Sequence, residues 1–164
     1  MGVRRYEQRP IEVLIPENRQ EMDEVQRRVI ELKNLFRNAR DSKDNVIIAD
    51  RASFKTTALV QFVAERMMNL EPPARVGVLC PNSAMVEQFA RAYQIEFPTL
   101  RVRNPLVASY NEICTRGGWR GGEVVEIYAE EIFMMHPSVM DLPEFVFGVG
   151  TLEKRPVSAR IRNW

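Results

Sequence analysis

The sequence predicts an α/β domain in which a mostly parallel sheet carries helices on both faces. Short runs of apolar residues, such as Val46–Ala49 and Val76–Cys80, alternate with stretches whose apolar residues recur every three or four positions. Uniformly apolar strands are typical of sheets buried on both faces, and alternating strands and helices indicate right-handed crossovers between parallel strands. With 164 residues, of which 45% are apolar, the chain is long enough for one well-buried core.

Residues 1–40 are predicted to form an N-terminal arm followed by a helix. Apolar residues alternate from Ile11 to Ile15 between two prolines, which favours an extended arm or edge strand over residues 1–17. Residues 19–37 carry one apolar stripe with charged residues between its members, which predicts a helix with one buried face.

The core of the domain is predicted to span residues 41–151, and a basic tail follows at residues 152–164. Within the core, each strand leads into a helix or a loop. The expected order is strand 46–49, helix 55–69, strand 76–80, helix 84–95, a short strand at 100–102, a strand at 124–129 and a last strand at 145–149. The pattern between residues 106 and 114 is ambiguous, and the glycines of residues 116–122 predict a loop.

Composition excludes several classes of function. Basic and acidic residues number 23 and 22, so the molecule has no strong net field to attract nucleic acid or an anionic membrane. Apolar runs fall short of the roughly 20 residues that a membrane span needs. One histidine and two cysteines at unrelated positions do not form a zinc site. We therefore expect a cytosolic protein with no membrane partner.

The loop after the first predicted strand has the features of a phosphate-binding loop. Ligands of open α/β sheets bind beyond the carboxyl ends of the strands, and a loop that enters a helix can direct backbone N–H groups at a phosphate. Here Lys55 would supply positive charge and Thr56 a hydroxyl ligand for magnesium. The predicted nucleotide-binding residues are Ala49, Asp50, Arg51, Ala52, Ser53, Phe54, Lys55, Thr56 and Thr57.

Two later strand ends carry side chains that would complement this phosphate-binding loop. Glu130 would hold the metal through water, and Glu131 would orient an attacking water. Thr151, after the last strand, is placed to sense a γ-phosphate. The ordinary alternative is that these groups are structural, because paired glutamates are common near helix starts. A strict GxxxxGK[ST] match also fails, since Ala49 and Phe54 stand where glycines belong.

From about Asn45 to Arg155 the sequence resembles the ATPase domain of large terminase subunits, the motors that pump DNA into viral capsids. That family commonly has an arginine, two further residues and then glycine-lysine-threonine-threonine, where this chain has RASFKTT at residues 51–57. Residues 75–91 look like the segment that follows, and Arg120-Gly121 is similar to the arginine-glycine that precedes the family's carboxylate strand. Residues 127–131 and 147–151 are similar to that strand and to the coupling motif.

The resemblance implies a P-loop NTPase fold with ATP and Mg²⁺ as cofactors. It implies that Thr56 and Glu130 hold the metal, that Glu131 is catalytic, that Thr151 couples, and that Arg51 or Arg120 stabilises the transition state. Arg120 would act in its own site or in that of a neighbouring subunit. Two departures, Phe54 for glycine and Glu130 for aspartate, imply impaired ATP hydrolysis. The family's nuclease domain is not expected within residues 152–164.

Three functions remain open on this basis. The favoured one is a terminase-like binding or structural module of a phage DNA-packaging or assembly system, in the host cytoplasm or the virion. Its partners would be viral assembly proteins, DNA and further copies of the chain. The first alternative is an active ATPase motor for DNA translocation. The second is nucleic-acid binding by Trp119 in the glycine-rich loop and by Arg160 and Arg162 in the tail. The alternative for Trp119 is that it anchors that loop to the fold.

Overall fold

A computed structural model describes the backbone of residues 11–42, 46–50, 54–98, 102–116, 119 and 122–151, and the side chains of those from residue 23 onward. The helices are α1 (Ile11–Ser42), α2 (Lys55–Asn69), α3 (Ser83–Glu96) and α4 (Tyr110–Arg116). The strands are β1 (Val46–Ala49), β2 (Arg75–Cys80), β3 (Leu106–Ser109), β4 (Val124–Glu130) and β5 (Phe145–Thr151). Two 3₁₀ turns, Ile132–Met134 and Pro137–Asp141, lie between β4 and β5.

The five strands form one parallel sheet in the order β1-β5-β4-β2-β3. Apolar residues of α1, α2 and α3 pack on one face, and α4 and the 3₁₀ turns pack on the other. The predicted α/β class is therefore confirmed. Because all strands are parallel, their carboxyl ends share one edge of the sheet, and β5 brings the ends of β1 and β4 close to each other.

Four aromatic rings join α1 and α2 to the sheet. Phe147 of β5 lies at the centre, with ring-centroid distances of 5.4 Å to Phe36, 5.6 Å to Phe62 and 4.7 Å to Tyr128. All four side chains are fully buried. Each large aromatic ring removes much apolar surface from water, so this cluster holds the helical layer on the sheet.

An ion pair fixes the far end of α2 to β4. Arg66 donates two hydrogen bonds to Glu126, and Tyr128 donates a third at 2.6 Å. Burial alone would raise the pKa of Glu126, but the bonds from Arg66 and Tyr128 outweigh it and hold that pKa below its usual value. The carboxylate is therefore kept charged and paired.

The helix α1 runs beside α2 in the same direction. Two hydrogen bonds join residues 28 positions apart, Lys33 with Gln61 and Arg37 with Glu65. This offset places Lys55, the first residue of α2, level with Arg27. The part of α1 before Arg27 therefore extends beyond the start of α2, by roughly 24 Å at about 1.5 Å per residue. Among the described residues, no helix is long and apolar enough to cross a bilayer.

The prediction of an extended arm over residues 1–17 is wrong from Ile11 onward, because α1 begins there. Ile11 and Ile15 are four residues apart, which is also the spacing of one helical face. Pro16 removes one backbone N–H from the second turn, but the helix continues past it. Residues 1–10 lie outside the described part of the chain.

The prediction of a strand at residues 100–102 is wrong at Val102, the one residue of that segment that the structure describes. The third strand is Leu106–Ser109, paired with β2 from Gly77 to Cys80, and Val102 lies outside any strand. Residues 100 and 101 are not among those described. As an edge strand, β3 fully buries only Ala108, so its apolar pattern is too weak to separate strand from helix in the sequence.

Candidate functional site

The turn into α2 has the backbone conformation that a glycine would adopt. Phe54 directly precedes the helix with φ 61° and ψ 29°, in the left-handed region. A residue with a Cβ atom adopts this region at a cost of about 1–2 kcal/mol, whereas glycine enters it freely. The Phe54 side chain is 42% exposed, so much of its ring faces solvent. Phe54 therefore reproduces the turn of the expected glycine while retaining a large side chain.

The first turn of α2 connects to the end of β4. The Thr56 hydroxyl donates a hydrogen bond of 2.5 Å to Oε1 of Glu130, across 74 residues of sequence. Lys55 Nζ lies 3.8 Å from Oε2 of Glu131, and both side chains are largely buried. The lysine and threonine of the loop thus meet the two glutamates, as the positions of the strand ends predict.

The end of β5 completes the cluster. The Thr151 hydroxyl lies 2.6 Å and 2.9 Å from the two carboxylate oxygens of Glu131 and donates to that carboxylate. Thr151 is 1% exposed, and the register pairs it with Ala49 at the end of β1. Glu131 adopts a left-handed conformation, with φ 55° and ψ 54°. The structure therefore brings together Lys55, Thr56, Glu130, Glu131 and Thr151.

Burial perturbs the first of the two glutamates. Glu130 is 4% exposed, and this loss of water raises its pKa above the usual value. The negative charge of Glu131 adds to this shift, while the bond from Thr56 and the charge of Lys55 oppose it. The site therefore holds a carboxylate whose charge is costly in the protein alone and would be stabilised by a cation.

Replacing Glu130 by glutamine is expected to stabilise the fold, and increasingly so as the pH rises. Because the folded-state pKa of Glu130 is raised, the wild-type side chain loses stabilising free energy as the pH rises through that pKa. Glutamine keeps an oxygen for Thr56 but carries no charge. Urea unfolding of both proteins in mildly acidic and mildly alkaline buffer measures this. A stability difference that does not change with pH would contradict it.

The cysteine at the end of β2 was missed by the sequence reasoning. Burial raises the pKa of Cys80 to about 12, and the charge of Glu130 contributes to the shift. Cys80 follows a predicted strand, so the rule that placed Glu130 at this edge would also have placed the thiol there. With that pKa the thiol stays protonated and unreactive at neutral pH.

Other predicted residues fall in different places. Ala49 is buried at the end of β1, whereas Asp50 and Thr57 are exposed. Trp119 is half-buried, and a Cβ atom on Gly77 of β2 would lie 2.8 Å from its ring. This packing matches the alternative in which Trp119 anchors the loop. Six of the predicted site residues lie outside the described part of the chain, namely Arg51, Ala52, Ser53, Arg120, Arg160 and Arg162.

The oxygen atoms of the cluster could supply part, but not all, of the ligands of a magnesium ion. Among the described residues, no group of three or more histidine, cysteine, aspartate or glutamate side chains could hold a metal by itself. Thr56 and Glu130 nevertheless place a hydroxyl and a carboxylate oxygen side by side. Mg²⁺ is commonly bound by one or two carboxylates while phosphates and water supply its other ligands. The residues therefore fit a metal that arrives with a phosphate ligand.

The geometry of this cluster is the basis for assigning a function. Hydroxyl, ammonium and carboxylate groups from α2, β4 and β5 converge at the carboxyl edge of a parallel sheet. The sequence matches no protein-family model, and no curated protein is similar to it at a significant level.

Proposed function

We propose that the chain is a P-loop NTPase domain that binds a nucleoside triphosphate with Mg²⁺ at the carboxyl edge of its sheet. The observation that carries this proposal is the hydrogen-bonded cluster built by three separate segments. Thr56 bonds with Glu130, Thr151 bonds with Glu131, and Lys55 lies beside Glu131. Clustered polar groups at this edge, next to a helix start, are a common arrangement for phosphate binding.

The start of α2 supplies the phosphate-binding groups. Phe54 has no side-chain acceptor, so it does not cap the first N–H groups of the helix. Those N–H groups and the positive end of the helix dipole favour an anion. Lys55 adds a full positive charge, which in the ligand-free protein is balanced by Glu131. A phosphate would compete with Glu131 for that lysine.

Thr56 and Glu130 would hold the magnesium ion. The ion would neutralise phosphate charge, which is the main requirement of phosphoryl transfer. Glu131 would orient the attacking water, and Thr151 would hold its carboxylate in place. In this arrangement Thr151 would act as a coupling residue, because it connects the site to the rest of β5.

For the biological role, we propose a terminase-like domain of a viral DNA-packaging or assembly system, with impaired hydrolysis. Two features support the impairment. Phe54 places a ring at the loop where a glycine backbone would lie against phosphate. Glu130 is one methylene longer than aspartate, and positioning of reacting groups tolerates such shifts poorly. Viral assembly proteins, DNA and further copies of the chain would be its partners.

An active motor is the second candidate, because Glu131 is already hydrogen-bonded and close to Lys55. Such a motor needs an arginine at the transition state. Arg51 or Arg120 would fill this role, Arg120 in its own site or in that of a neighbouring subunit, and both lie outside the described residues.

Replacing Lys55 by alanine is expected to weaken MgATP binding about 30-fold, because a charge-assisted bond to phosphate contributes about 2 kcal/mol. Titration calorimetry measures the affinity of both proteins. Lys33→Ala is the matched control, since Lys33 is likewise a helical lysine that pairs with a glutamate. Its side chain is 16% exposed, against 14% for Lys55.

Two results would separate the proposals. Equal MgATP affinity in the wild type and in the variants Lys55→Ala and Lys33→Ala would overturn the nucleotide site. If the site is supported, phosphate release separates the two roles. A motor should turn over ATP and lose turnover in Glu131→Gln, whereas the impaired module should bind MgATP with turnover close to that of the variant.

A further inference from the structure

The two glycines of β5 form a flat surface on one face of the sheet. Phe147 and Val149 point toward the layer of α1 and α2, so Gly148 and Gly150 face the opposite side. The 3₁₀ turn Ile132–Met134 lies directly on these glycines. A Cβ atom on Gly148 would lie 2.3 Å from Cδ1 of Ile132, and one on Gly150 would lie 2.3 Å from Cε2 of Phe133. Neither position has room for a methyl group.

This surface determines where Glu131 lies. Glu131 is the residue directly before the 3₁₀ turn, and its carbonyl accepts a hydrogen bond of 2.9 Å from the N–H of Met134. Its left-handed backbone then directs the carboxylate to Thr151, on the same strand as the glycines. Any change in the distance between the turn and β5 therefore changes the distance between the Glu131 carboxylate and its partners.

We propose that Gly148, Gly150 and Phe133 are positioning residues of the site. They hold the 3₁₀ turn against β5, and the turn holds the Glu131 carboxylate on Thr151 and beside Lys55. The effect on ATP turnover rests on the proposed function, whereas the effect on Glu131 in the ligand-free protein does not. Lys55 and Thr56 belong to α2, on the other face of the sheet, so phosphate binding depends far less on this contact.

The variant Gly150→Ala tests the proposal. In NMR spectra of the ligand-free protein, the amide resonances of Glu131 and Thr151 are expected to shift. If the wild type is the active motor, its turnover of MgATP is expected to fall at least about tenfold, since small misplacements of a reacting group are costly. In either role, MgATP affinity is expected to change by less than about threefold because the α2 groups are untouched.

Gly77→Ala is the matched control. Its Cβ atom would lie 2.8 Å from the Trp119 ring, so it also forces an alanine against an aromatic side chain that packs on the sheet. That contact is near the amino end of β4, away from Glu131. The control is expected to lower stability without shifting the Glu131 and Thr151 resonances.

A second variant keeps the test informative if Gly150→Ala fails to fold. The atoms nearest to the added methyl group all belong to the Phe133 ring, so Phe133→Ala in the Gly150→Ala background is expected to restore the resonances toward their wild-type positions. Resonances that move no more in Gly150→Ala than in Gly77→Ala, or that the second substitution does not restore, would overturn the proposal. A wild-type protein that binds no MgATP would instead refute the nucleotide site and leave this spectral test unaffected.

Discussion

Replacing Phe147 by alanine is expected to lower the free energy of unfolding by about 4 kcal/mol, within the range measured for large-to-small substitutions in protein cores. The ring is fully buried and contacts Phe36, Phe62 and Tyr128. Its loss leaves a cavity where α1, α2, β4 and β5 meet, and three aromatic contacts disappear with it. Urea unfolding followed by circular dichroism measures the change.

The control for this substitution is Phe97→Ala. Phe97 is half-buried at the end of α3 and contacts Tyr93 with a ring-centroid distance of 5.3 Å. Its replacement is expected to lower the free energy of unfolding by less than about 2 kcal/mol, because Phe97 buries less apolar surface than Phe147 does. A similar loss for both variants would show that the four-ring cluster does not hold the layers together.

Combining Phe54→Gly with Glu130→Asp is expected to raise MgATP affinity by about tenfold or more. Glycine adopts the left-handed turn without the cost of about 1–2 kcal/mol that Phe54 incurs, and its backbone can approach a phosphate closely. Aspartate shortens the side chain that would hold the metal. Because Phe54 is 42% exposed, its replacement costs less buried surface than that of a core phenylalanine. Calorimetric titration of the parent and the double variant measures the gain.

Phe54→Ala separates the two effects of this residue. Alanine removes the ring but keeps a Cβ atom in the left-handed turn, so it should recover only part of the affinity. If Phe54→Ala binds MgATP as well as Phe54→Gly, the ring alone obstructs the site. If the double variant binds no better than the parent, the impairment does not arise from Phe54 and Glu130.

The elements around the site could be predicted because each has a simple local pattern. The strand at 46–49 and the helix at 55–69 have the bounds that their apolar patterns indicate. The meeting of Lys55 and Thr56 with Glu130 and Glu131 followed from the rule that parallel strands share a carboxyl edge. The α/β class and the residues of this edge are thus within reach of sequence reasoning.

Contacts across the sheet could not be predicted in the same way. Nothing local indicates that β5 lies between β1 and β4, although this order places Thr151 on Glu131. The packing of Phe133 on Gly150 depends on which segment covers that face of β5. The turn at Phe54 could not be predicted either. Its backbone adopts a left-handed conformation that is typical of glycine and uncommon for an aromatic residue.

The offset between α1 and α2 limits how any partner can approach the site. Since Lys55 is level with Arg27, the first turns of α1 extend beyond the carboxyl edge of the sheet. They lie on the side where α1 packs against β1 and β5. A strand of nucleic acid or a neighbouring subunit that approached this edge from the side of β1 would therefore meet α1 before it met the sheet.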